Sequence, residues 1–213
     1  MADGRWGSPA EPLTKDENNL NPTGISPNGG TVILERSAPE TDNDLMRLPL
    51  TGDRRLAPLV QTKFTERNGT VSPDGRWLAY QSNGSGRDEI YIRPFPNVTN
   101  GQWQVSTAGG TRPLWARNGQ ELFFLALDGA LMRVPLQATD VTWGAGPPAR
   151  LFAGQFFAPV GTTVNNGRTY DVSPDGQRFL MIKGPDRDQA AELPGLVVIE
   201  HLDEELKRIA PTK

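Results

Sequence analysis

The sequence predicts an all-β fold, a β-propeller of about four four-stranded blades, and three observations predict it. A turn of the form Ser-Pro-Asp/Asn-Gly recurs along the chain, starting at residues 26, 72, 116 (as Ala-Arg-Asn-Gly) and 173. An apolar triplet begins six residues after each turn starts. A further strand, "LMRLPL" at 45 to 50, returns almost letter for letter as "LMRVPL" at 131 to 136. Repeats near the ~40–45 residues of one propeller blade, with one longer step, indicate radial repetition of one supersecondary unit.

The turn comes first in each unit. Pro presets the backbone at its second position, and Asp or Asn at the third bonds locally to the backbone. Gly at the fourth supplies the left-handed conformation. Asp74 and Asp175 are therefore read as turn residues, not as chemistry. The triplets that follow are Val32-Ile33-Leu34, Leu78-Ala79-Tyr80, Leu122-Phe123-Phe124 and Phe179-Leu180-Met181. Unbroken apolar runs indicate strands covered on both faces, as stacked blades require.

The third strands are residues 45–50, 90–95 and 131–136, with "LVVIEH" at 196 to 201 in the last repeat. Outer strands are expected at 55–60, 103–107 and 149–154. Pro58 suits an edge, since proline has no N–H to give a neighbour. The repeats divide as 16–60, 61–107, 108–154 and 155–201. The last lacks an outer strand, and residues 1–15 are expected to provide it by pairing with 196–201. In the tail, 202–213, Leu202, Leu206 and Ile209 at helical spacing predict a short helix. Trp77, Tyr91, Phe95, Trp103, Trp115, Phe123 and Phe124 are expected between blades; Phe156 and Phe157 stand in the long loop before the fourth turn.

Composition narrows the functions. Of 213 residues 36% are hydrophobic, which suffices for a core, and the 19 Pro and 23 Gly favour short strands. A net charge of −3 with scattered Lys and Arg shows no basic footprint, so neither nucleic acid nor a membrane surface is an expected partner. No Cys is present, which removes disulfides, thiolate nucleophiles and Cys-based zinc sites. No signal-like or membrane-spanning apolar run occurs; the expectation is a soluble, cytoplasmic protein unless an upstream segment exports it. The single histidine, His201, lies on an expected strand with no G-x-S-x-G nucleophile to serve, and no phosphate-binding loop occurs.

The stretch "SPDGRWLAYQSNGSGRDEIYIRPFP" resembles the WD-like repeat of TolB-type β-propellers. More narrowly, residues from about 64 to 213 resemble the C-terminal propeller of bacterial membrane-bound serine/threonine kinases. That likeness implies a bacterial source and a periplasmic setting, but no kinase activity, because the phosphoryl-transfer residues are missing. Such propellers have six to eight blades. Four blades with open apolar end faces are therefore expected to pair as a homodimer, completing an eight-bladed ring.

Loops leading into the innermost strands converge at one mouth of a propeller channel, and three readings follow. The leading one is a non-catalytic module binding a peptide, a protein or a small anionic ligand, with Arg67, Arg112 and Arg168 as the cationic contacts. The alternative is a calcium-dependent or other divalent-metal-dependent hydrolase of esters, lactones or phosphotriesters. Its oxygens would come from Glu17, Asn19, Glu66, Asn68, Asn165 and Asn166, with Glu66 as nucleophile or base. The third is a structural module whose blade edges serve assembly alone.

Overall fold

The computed structural model describes residues 11–137, 142–154, 156, 167–182 and 196–199. Their strands form four antiparallel sheets in chain order. The first holds β1 (Leu20–Ile25), β2 (Thr31–Ala38), β3 (Asp42–Pro49) and β4 (Ala57–Val60). The second holds β5 (Glu66–Val71), β6 (Trp77–Ser82), β7 (Glu89–Pro94) and β8 (Trp103–Gln104). The third holds β9 (Thr111–Trp115), β10 (Glu121–Leu125), β11 (Leu131–Pro135) and β12 (Ala149–Phe152). The fourth has three described strands, β13 (Tyr170–Val172), β14 (Phe179–Ile182) and β15 (Leu196–Ile199). Each sheet runs from its first strand, on the axis, outward to its last.

The repeated turn links the first two strands of every blade. Ser72 Oγ donates to Asp74 Oδ1, which also accepts the Arg76 N–H, while the Trp77 N–H returns to Ser72 Oγ at 2.9 Å. Gly75 closes the turn onto Ser72 O in the left-handed region, φ 75°. Ser26 with Asn28 and Ser173 with Asp175 repeat the arrangement. Burial raises the Asp74 carboxyl, but the bonds from Ser72 and Arg76 outweigh it and hold the group below the usual aspartate range.

Blades stack through the apolar triplets. The middle residue of each triplet faces the following blade, and its neighbours face the preceding one. Ile33 and Leu45 of the first blade pack on Leu78 and Tyr80 of the second. Ala79, Ile90 and Ile92 then meet Leu122, Phe124 and Trp115 of the third. Phe123, Leu125 and Leu131 meet Phe179, Met181 and Tyr170 of the fourth. The expected aromatics lie in or beside these clusters. Trp143 joins them unforeseen, edge-on to Trp77 and Trp115.

Two expectations need adjusting. The outer strand of the second blade is two residues long, not five, because Ser106 leaves the ladder to use its hydroxyl. Ser106 Oγ donates to the buried Glu89 carboxylate and accepts the Ile90 N–H. Residues 11–15, expected to extend an outer strand, form none; Glu11 instead pairs with Arg54 at 3.6 Å, and the adjoining Asp16 with Arg36 at 3.2 Å. Residues 1–10, His201 and the expected C-terminal helix lie outside the described residues. No helix among the described residues is long and apolar enough to cross a membrane.

Candidate functional site

A cavity of about 430 Å³ opens where the four innermost strands meet. Pro22 and Thr23 of β1, Asn68 and Thr70 of β5, Pro113 of β9 and residues 167–171 leading into and along β13 line it, with Leu180 and Ile182 of β14 on its outer side. Its position follows from the stacking rule. Leu180 is the middle residue of its triplet, so it faces where a following blade would pack. Its counterparts Ile33, Ala79 and Phe123 are 0, 0 and 1% exposed, whereas Leu180 is 44% exposed. No apolar cluster of described residues joins the fourth blade to the first, so the cavity is the seam between them.

The two end faces differ. On the first blade, Leu34, Met46 and Leu48 turn away from the second blade and are nevertheless buried. The expected dimer relied on two open apolar faces, and among the described residues only the fourth blade presents one.

Side chains bind neighbouring blades together around the axis. Asn68 has φ 54°, a conformation that asparagine tolerates, and its N–H donates to Glu35 Oε1 at 2.5 Å. Arg112, at the matching place on β9, also has φ 54°, and its N–H donates to Gln81 Oε1 at 3.3 Å. The β1–β2, β5–β6 and β9–β10 ladders all slip register near these positions, as bulges do. The β13–β14 ladder has no such shift. Arg112 is buried; its Nε donates to Gly167 O at 3.0 Å and its own carbonyl accepts the Tyr170 hydroxyl at 2.8 Å. Burial lowers the Arg112 pKa, while Tyr170, Asp88 and Glu35 act to hold it up. Burial pushes the Tyr170 hydroxyl up, so it stays protonated as a donor.

The three expected cationic contacts are thus placed differently. Arg168 is exposed and lines the cavity. Arg112 ties the third blade to the fourth. Arg67 is engaged with Asp42 at 3.3 Å. Of the oxygens expected to hold a metal, Asn68 lines the cavity, and Glu17, Asn19 and Glu66 are not among its lining residues. Glu17 and Asn19 are exposed; Asn165 and Asn166 lie outside the described residues. Among the described residues no three His, Asp or Glu side chains converge on one point.

Glu66 is buried at the junction of the first two blades. It accepts from the Thr62 hydroxyl at 2.6 Å, the Thr62 N–H at 3.2 Å and Ser82 Oγ at 3.4 Å. Burial raises its pKa above the ordinary glutamate value of 4.5, the Asp44 carboxylate adding to the effect against the Thr62 and Ser82 bonds. A raised acid pKa favours the folded state below the unfolded pKa and loses that advantage as pH rises through the folded one. Glu66→Gln is therefore expected to gain stability relative to the parent protein as pH climbs from 4.5 to neutrality, read by urea denaturation along a pH series. A constant difference across that range would contradict the assignment.

Sequence reasoning missed Thr169, Leu180 and Ile182 as lining residues. For Ile182 the signal is present, because aligning the four triplets gives Glu35, Gln81, Leu125 and Ile182 at one place, where the series changes from polar to apolar.

The fold is a TolB-like β-propeller. It is similar to TolB from Acinetobacter baumannii, with TM-score 0.61 and 14% identity over 89% of this chain and 42% of that one. A puromycin-hydrolyzing peptidase of Mycobacterium tuberculosis gives TM-score 0.59 and 18% identity over 78% of this chain and 28% of its own. An oligogalacturonate lyase in complex with manganese gives 0.55 and 14% over 86% and 48%. The sequence spans less than half the length of each, and identities this low show the fold alone. Nothing in these likenesses bears on the narrower resemblance to kinase-attached propellers. No protein-family model and no curated protein matches the sequence.

Proposed function

We propose that the protein is a non-catalytic binding module that receives a peptide or protein segment, or a small ligand of that chemistry, in the axial cavity at the seam between its fourth and first blades. One observation carries the reading. The apolar face that every other blade hides against its successor is exposed, among the described residues, only at Leu180, and it borders a cavity reached by all four innermost strands. Cavities of this size with an apolar wall and a few convergent polar groups are the usual form of ligand sites. Pro22, Pro113, Leu180 and Ile182 supply the wall; Asn68, Thr70, Thr169 and Arg168 supply the polar groups.

The divalent-metal-dependent hydrolase alternative rests on the oxygens of the axial loops, with Glu66 as nucleophile or base, and the geometry supports it less. The Glu66 oxygens that would have to reach a metal or a substrate are occupied by Thr62 and Ser82 in a buried junction.

Peptides selected from a random display library against the immobilised protein are expected to lose about ten-fold or more in affinity on Leu180→Asp. Leu13→Asp, at another exposed leucine, is expected to leave them unchanged. Selected peptides indifferent to Leu180→Asp would overturn the proposal.

A further inference from the structure

At two blade junctions the protein supplies its own oxygen to the innermost strand of the next blade. Glu35 Oε1 accepts the Asn68 backbone N–H, and Gln81 Oε1 accepts the Arg112 backbone N–H. At the third junction the same position of the middle strand is Leu125, whose side chain accepts nothing. The residue matching Asn68 and Arg112 is Thr169. Thr169 is 6% exposed and lines the cavity, and its hydroxyl has no hydrogen-bond partner among the described residues. A buried hydroxyl left unsatisfied costs about 1–3 kcal/mol, so a ligand oxygen placed there is favoured.

The surroundings define what carries that oxygen. Arg168, next in sequence, lines the cavity and forms no ion pair among the described residues. Asp171 stands opposite Leu180 across the β13–β14 ladder, and both line the cavity with Thr169. Asp171 Oδ1 accepts the Val172 N–H, and its second oxygen has no hydrogen-bond partner among the described residues. Polar groups therefore lie on the inner strand, and apolar ones, Leu180 and Ile182, on the next strand outward.

Resting on the proposed binding function, we infer that the cavity recognises an α-amino carboxylate with an apolar side chain, as in a free amino acid or the C-terminal residue of a peptide. Its carboxylate accepts from Thr169 Oγ1 and Arg168, its α-nitrogen donates to Asp171, and its side chain lies on Leu180 and Ile182. A dianion is disfavoured by Asp171, and a neutral amide cannot replace the charge that Arg168 meets.

The test titrates N-acetyl-leucine, leucine and N-acetyl-leucinamide into the whole protein, following the amide and methyl resonances of Thr169, Leu180 and Ile182. The two acids are expected to shift these resonances, with the neutral amide about ten-fold weaker or more. Thr169→Val is expected to weaken the acids about three- to ten-fold and leave the amide unchanged, and Thr169→Ser to restore them. Leucine much tighter than N-acetyl-leucine identifies a free amino acid; equal or reversed affinities identify a peptide terminus. Equal binding of acid and amide at these resonances, or a Thr169→Val variant that binds the acids normally, would overturn the inference while leaving the binding function standing. If no probe shifts these resonances and library-selected peptides also ignore Leu180→Asp, both fail.

Discussion

Phe123→Ala lowers the free energy of unfolding by about 3–5 kcal/mol, the range for emptying a buried phenylalanine site. Phe123 is 1% exposed and meets Phe179 edge-on at 5.0 Å between ring centres; Phe179 in turn meets Phe152 at 5.8 Å. These rings connect the third blade to the fourth, whose other face is exposed, among the described residues, at Leu180. Chemical denaturation with a single-transition fit measures it. Phe64→Ala, on a ring that is exposed, is the control and is expected to cost about 1 kcal/mol or less. A small effect at Phe123 equal to that at Phe64 would show that the two blades do not share this core.

Arg112→Met is the second large effect, at about 3 kcal/mol or more, the range for removing one member of a buried charged network. Methionine retains much of the hydrophobic stem while removing the Nε donor to Gly167 O and the positive charge beside Glu35. The loss is therefore electrostatic in the main, and adding Glu35→Gln in the same molecule is expected to recover part of it. The variant also frees the approach to β13, so the cavity resonances of Thr169 and Tyr170 should broaden or move. Additive losses in the double variant would contradict coupling between Arg112 and Glu35.

Both residues show how far the sequence could be read. Phe123 was legible, because the turn at 116 fixes where the strand starts, and the unbroken triplet states that both its faces are covered. The blade number and the third strands followed from the same copying. Arg112 was legible as a residue near the axis but not in its role. Arg67 and Arg168 stand five residues before their turns and Arg112 four, and in strands an offset of one reverses the face a side chain presents. The offset separates Arg112 from the other two; Arg67 differs from Arg168 in having Asp42 beside it. Glu66 is a candidate base in the sequence because it is an acid in an axial loop. Its burial depends on Thr62 and Ser82, contacts made by the turn of the preceding connection and the neighbouring strand, which no local pattern announces. Thr169 was invisible for a related reason. Its significance is a buried hydroxyl without a hydrogen-bond partner among the described residues, which depends on what the fold places around it.

The open face of the fourth blade is the feature on which the site stands or falls. The sequence has no cysteine, so single thiols can be introduced without background. Leu180→Cys and Ala79→Cys place a thiol at the same step of two blades, one 44% exposed in the leucine it replaces, the other 0%. Reaction with a small aromatic disulfide reagent under native conditions is the measurement. An open seam requires the thiol at 180 to react within a factor of about ten of a free peptide thiol, while the thiol at 79 reacts only at the rate of unfolding. Equal protection at both positions would mean that the seam is sealed, and the cavity would then be no site.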